Sequence, residues 1–159
     1  MTADAGRPPS LGGETVDFLR LLWAVDHALQ KASKRMERTI GVTGPQRHVI
    51  RIVGRFPGIS VGRLATLLDV HPSTVTGLSK RLVRLGLIRR RVDPHDARRL
   101  TLGLTPKGRA IEAKTAGTIE AALGTLLATT NSAKVGAARE VLESLREILR
   151  RELGKASRP

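Results

Sequence analysis

A chain of 159 residues with 28 Lys and Arg against 14 Asp and Glu carries a formal charge of +14, which points to a polyanionic partner, nucleic acid foremost. The absence of Cys excludes disulfide frameworks, thiolate metal clusters and cysteine redox switches. With 2% aromatic residues and no Tyr, the stacking platforms of single-strand binders are missing too. No apolar run approaches the roughly eighteen residues of a membrane span, and residues 1–13 lack a signal peptide's basic head and apolar stretch, so a cytoplasmic chain without membrane attachment is expected.

Residues 1–12 and 154–159 carry too little apolar content to pack and are expected to be disordered. Between residues 14 and 38, Phe18, Leu22, Val25, Leu29, Ala32 and Met36 alternate spacings of four and three, the stripe of a long amphipathic helix. Thr43-Gly44-Pro45 opens a second helix that stops at Phe56-Pro57-Gly58. Ser60 is a plausible N-cap for a short helix through Leu64, Ala65, Leu67 and Leu68, and Asp69-Val70-His71 reads as a turn. Pro72 suits the first position of the next helix, and Gly86 suits the left-handed residue beyond its end.

Two short strands follow, one with Leu87, Ile88 and Val92 and one with Leu100, Leu102 and Leu104, joined by the polar turn Asp93-Pro94-His95-Asp96 into an Arg-rich hairpin. Thr105-Pro106 opens one helix predicted to carry Ile111, Ile119, Ala122, Leu123 and Leu126. A last helix from Asn131-Ser132 keeps three-four spacing at Val135, Ala138, Leu142, Leu145 and Leu149. Pairing of the two ends of the chain, within and between subunits, would bury both terminal stripes. An intramolecular bundle would bury them equally well.

The helix after Pro72 is the most informative segment. On a helical wheel Ser73, Thr76, Gly77, Lys80 and Arg84 share one face, with Thr74 and Arg81 at its edge, while Val75, Leu78, Leu82 and Leu85 fall opposite. Small hydroxyl residues at the front let the backbone approach base edges in a major groove, and the later cations meet phosphates. An ordinary solvated surface helix has the same pattern, so the neighbourhood decides. A short helix, a tight turn, this helix and an Arg-rich hairpin form the order of a winged helix-turn-helix. Eight Lys and Arg (Lys80, Arg81, Arg84, Arg89, Arg90, Arg91, Arg98 and Arg99) stand there against Asp93 and Asp96. The fold expected is mainly α with a small β-hairpin wing.

Residues 43–108 also resemble the core of the MarR (multiple antibiotic resistance regulator) family. The matching pieces are Thr43 with Gln46; Leu64-Ala65; Pro72-Ser73-Thr74-Val75-Thr76; Arg81-Leu82; Gly86-Leu87-Ile88 with Arg90; Asp93, Asp96 and Arg98; and Leu104-Thr105 with Gly108. The resemblance implies a six-helix winged-helix subunit, a homodimer joined by its terminal helices (13–40 and 106–153) around a DNA-binding region (41–105), and repression relieved by a small ligand. It places Ser73, Thr74, Thr76 and Arg81 on a DNA-reading helix with Pro72, Gly77, Lys80 and Arg84, and Arg98 at the wing position that enters the minor groove. Asp96 matches an acid that orients the wing, with Arg90 its expected partner. Lys80 replaces the Asp of many members, and Ala97 followed by Arg98-Arg99 shifts the usual wing tip, so either arginine could point inward; spacing favours Arg98. The family's effector crevice would here be lined by Trp23, His27 and His48.

The partners expected are double-stranded DNA, a second copy of the chain and a small-molecule effector. No nucleophile with its base, metal set or phosphate-cradling loop is found, so neither catalysis nor a cofactor is expected. The rival reading is a basic architectural nucleic-acid-binding protein that does not read sequence.

Overall fold

The computed structural model describes residues 12–93 and 96–156, with backbone alone at 97–98 and 153–156. Residues 1–11, the turn residues Pro94 and His95, and 157–159 lie outside the described residues, and with them most of the expected N-terminal arm and half of the expected tail. The element order is α1 (Glu14–Ile40), α2 (Gly44–Arg55), β1 (Ile59–Ser60), α3 (Val61–Leu68), α4 (Pro72–Arg84), β2 (Ile88–Asp93), β3 (Asp96–Leu104), α5 (Pro106–Ala113), α6 (Ile119–Thr129) and α7 (Ser132–Ala156). The last helix runs past the boundary expected at residue 153. Two compact units divide the chain, one ending at Ile119 and one beginning at Glu120.

Local chemistry sets most of the first unit's boundaries. Thr43 and Gln46 close a capping box at α2: Thr43 Oγ1 accepts from the Gln46 N–H at 3.4 Å, and Gln46 Oε1 accepts from the Thr43 N–H at 3.0 Å. Ser60 caps α3 by accepting from the Arg63 N–H at 3.2 Å. Asp69 closes α3 in the left-handed region at φ 51°, a conformation that a short polar residue tolerates better than most, and so turns the chain towards α4. Gly86, at φ +69°, ends α4 as expected.

The antiparallel sheet has the order β1-β3-β2. Ile59 faces Leu102 and Ser60 faces Thr101, while the β2-β3 hairpin pairs Ile88 with Leu104, Arg90 with Leu102 and Val92 with Leu100. β1 was not expected: two residues carry no alternation, and only β3 gives them strand partners. The core is made by Val42, Val49, Ile50, Val53, Ile59, Leu64, Ala65, Val75, Leu82, Leu87, Ile88, Leu102 and Leu104. Each large aliphatic so buried contributes about 1.5–3 kcal/mol, which makes the winged helix-turn-helix the packed heart of the unit.

One expected helix is two. α5 stops at Ala113, and Gly117, at φ +73°, helps turn the chain before α6 begins, which gives seven helices among the described residues rather than six. The stop is held from far away in sequence. The buried Arg47 of α2 donates from Nη1 to the Ile111 carbonyl at 2.7 Å, and from Nη2 to the Glu112 carbonyl at 3.3 Å and to that of Lys114. A fixed cation on the last carbonyls of a helix meets its otherwise unpaired acceptors and the negative end of its dipole.

α1, α6 and α7 keep large apolar residues exposed. On α1, Val16, Phe18, Leu19, Leu21, Trp23, Val25 and Leu29 are exposed; in the second unit Leu123, Leu126, Leu127, Val141, Leu142, Ile148 and Leu149 are exposed. No helix among the described residues is long and apolar enough to cross a membrane.

Candidate nucleic-acid interface

α4 begins with a side-chain cap that the sequence reading treated as part of a turn. His71 Nδ1 accepts from the Ser73 N–H at 3.3 Å and lies 2.7 Å from Ser73 Oγ, so this imidazole fixes the Ser73 hydroxyl at the start of the helix. Pro72 follows as the first helical residue, where its missing N–H costs nothing. Thr76 Oγ1 donates to the Pro72 carbonyl at 2.9 Å, which leaves its oxygen free to accept.

Burial divides the helix into two sides. Val75, Ser79 and Leu82 are fully buried and Leu78 half-buried, whereas Pro72, Ser73, Thr74, Gly77, Lys80, Arg81 and Arg84 are exposed and Thr76 is half-buried beside the wing. The expected inner stripe needs two corrections. Leu85 is 37% exposed because it lies beyond the last helical turn, and its place inside is taken by Ser79, whose Oγ has no hydrogen-bond partner. A Cβ added at Gly77 would meet nothing within 4 Å, so packing inside the subunit does not require glycine there.

The far end of α4 is tied down. Arg81 Nη2 donates to Glu37 Oε1 of α1 at 3.1 Å, so an arginine expected to face DNA is engaged within the subunit. Thr105 Oγ1 donates to the Gly86 carbonyl at 2.7 Å and Lys107 Nζ to that of Leu85 at 3.0 Å, which meets acceptors left open at the helix end. These contacts fix the angle between α4 and the wing.

On the hairpin, Arg89 and Arg91 are exposed and Arg90 is half-buried. Asp96 pairs with Arg99, Oδ2 to Nε at 3.5 Å, rather than with the expected Arg90. Arg99 lies three residues along the same strand, while Arg90 faces Leu102 across the ladder, well away from the tip. Arg98 lies on β3, and its side chain falls outside the described residues. An open cleft of about 940 Å³ lies between α3, α4 and the wing, bordered by Arg63, Thr66, Thr76, Arg90 and Arg99. Arg63 and Thr66 thus join the candidate surface; the Arg-Leu-Ala-Thr run around them reads in sequence only as part of a short core helix. Trp23, His27 and His48 are each exposed, and none borders a cavity described here. Among the described residues no group of three or more His, Asp or Glu converges as a metal site.

Residues 40–99 match the sequence model of the MarR family. The chain is 32% identical over 93 residues to the HTH-type transcriptional regulator TtmR of Methylorubrum extorquens, covering 58% of this chain and 48% of that protein. It thus spans about half the length of the relatives it matches at this identity. An HTH-type transcriptional repressor of Mycobacterium tuberculosis is 26% identical over 125 residues, 79% of this chain and 90% of its own. Among solved structures, the MepR-DNA complex of S. aureus superimposes with a TM-score of 0.69 at 24% identity, over 83% of this chain and 97% of that one, which shows a shared fold. Over residues 40–99 the chain is thus similar to the MarR family, and its fold is one shared with the MepR structure.

Proposed function

We propose that the protein is a cytoplasmic transcription regulator that acts as a homodimer and reads a pseudo-palindromic site in double-stranded DNA, with residues 41–105 as the reading part and 13–40 with 106–153 as the dimerising part. The observation that carries this is the two-sided α4. Its buried side is anchored by Val75 and Leu82, and the opposite side presents Ser73, Thr74, Gly77, Lys80 and Arg84 beside an arginine-bearing wing. Side chains of this kind make both base-edge and phosphate contacts, and Arg98 and Arg99 on the wing suit the adjacent minor groove. The exposed apolar residues of α1, α6 and α7 support a second copy as their cover, since monomeric soluble proteins rarely leave so much apolar helix surface open. The name of the M. tuberculosis relative supports repression as the sign of control.

Two copies would set their recognition helices about 34–36 Å apart, in successive major grooves. Release by a small ligand that prefers one spacing completes the proposal, and quenching of the single Trp23 is its readout. The test is a footprint followed by competition. A regulator protects two half-sites one helical turn apart and holds them about 10³-fold or more tighter than random duplex. Comparable affinity for any duplex, without paired protection, would make the protein an architectural binder instead.

A further inference from the structure

Arg90 is a half-buried cation where the wing meets α4. It was expected to hold Asp96, yet Asp96 pairs with Arg99. The Nε of Arg90 is buried with no hydrogen-bond partner, and Arg90 forms no ion pair among the described residues. A guanidinium cannot shed its charge, so a cation left in this state must find its compensation outside the subunit or go without.

Its surroundings sharpen the point. The side chain borders two openings: the cleft shared with Arg63, Thr76 and Arg99, and a smaller one beside Lys80, Val83 and Arg84. Four cations therefore flank a fifth, and the carboxylate of Asp96, out at the hairpin tip, is engaged by one of them. Cations that converge on concave, partly apolar walls focus positive potential, which a multivalent oxyanion relieves. Thr76 adds an oxygen to the larger cleft, and Lys80 a mobile ammonium to the smaller opening.

We propose that Arg90 is a phosphate anchor, binding one backbone phosphodiester of the DNA where the recognition helix meets the wing, and not a wing-orienting residue. The proposal rests on the reading of this face as a duplex-binding surface. It adds a fixed contact at the root of the wing that carries no sequence information and sets the depth at which α4 sits in the groove.

The experiment compares full-length wild type, Arg90→Gln, Arg90→Lys and Asp96→Asn on the footprinted site and on random duplex, measuring Kd between 50 and 200 mM salt. An anchor predicts that Arg90→Gln weakens both duplexes by the same factor and lowers the slope of log Kd against log salt by about 0.9, that Arg90→Lys retains the slope, and that Asp96→Asn does not reproduce the loss. Thermal unfolding of Arg90→Gln is expected to match wild type, since no partner is removed. An unchanged slope in Arg90→Gln, or the same loss in Asp96→Asn with a lowered Tm in both, overturns the anchor and restores a wing-orienting role. Inorganic phosphate, compared with chloride at matched ionic strength, separates the source: a rise in Tm in wild type but not in Arg90→Gln, with the DNA slope unchanged, assigns the seat to a free oxyanion and overturns the DNA contact. If wild type itself fails to bind duplex, the functional reading falls first, a result distinct from all of these.

Discussion

Gly77 offers a test in which stability and binding should move in opposite directions. It sits inside α4 with open space where a Cβ would stand, so Gly77→Ala introduces no clash within the subunit. An exposed glycine in a helix interior costs about 0.8–1 kcal/mol relative to alanine, and for a chain of this size that gain corresponds to a Tm roughly 2–4 °C higher. The new methyl would project from the face proposed to meet base edges. Pushing the backbone back by the width of a methyl should cost at least one base contact, about 1–3 kcal/mol, or roughly 5- to 150-fold in affinity. Differential scanning calorimetry and fluorescence anisotropy on the footprinted site give the two numbers. Gly77→Ala should be more stable and yet lose affinity. A Gly77→Ala protein that binds as tightly as wild type would refute a close approach by this face.

Other residues yield sharper single readouts. Ser79→Ala removes a fully buried hydroxyl that has no partner and should stabilise the subunit by about 1 kcal/mol in urea unfolding; a loss of stability would mean that the hydroxyl is satisfied in solution. Arg47→Met strips the carbonyls of Ile111, Glu112 and Lys114 of a charged donor and should cost about 3 kcal/mol, seen as a Tm lowered by roughly 6–12 °C. Arg81→Ala should leave the salt slope of DNA binding unchanged, because Arg81 is held by Glu37, whereas Lys80→Ala should lower it by about 0.9; equal slopes lost in both would put Arg81 on a phosphate. Gly108→Ala should destabilise despite its better helix propensity, because its Cβ would lie 2.0 Å from the Leu87 carbonyl oxygen that begins the wing, and a Tm equal to or above wild type would show that α5 yields freely.

What could be read from the sequence was what neighbouring residues decide. Thr43-Gly44-Pro45 before α2, Ser60 before α3, Pro72 and Gly86 around α4, and Thr105-Pro106 before α5 are each a start or a stop settled within a few residues. The features that escaped have partners far along the chain. β1 exists because Ile59 meets Leu102, and the end of α5 is held by Arg47 across 64 to 67 positions. Nothing in Lys114-Thr115-Ala116-Gly117-Thr118 alone forbids a continuing helix strongly enough to announce a break, since an isolated glycine costs only about 1 kcal/mol.

α4 shows the same division inside thirteen residues. A wheel assigns the inner face by hydrophobicity, and so selects Leu85 over Ser79. The fold assigns it by direction: Ser79 lies four residues after Val75 and three before Leu82, on the line that points at α2 and α3, while Leu85 comes after the helix has ended. A serine accepted at that position costs the core a methyl's worth of packing and an unpaired hydroxyl. With Val75 and Leu82 buried to either side of it, and with the ties at Glu37, Gly86 and Leu85, the helix is fixed at both its middle and its far end. A helix held that firmly can leave its exposed front, from Ser73 to Lys80, to be chosen for what lies outside the subunit.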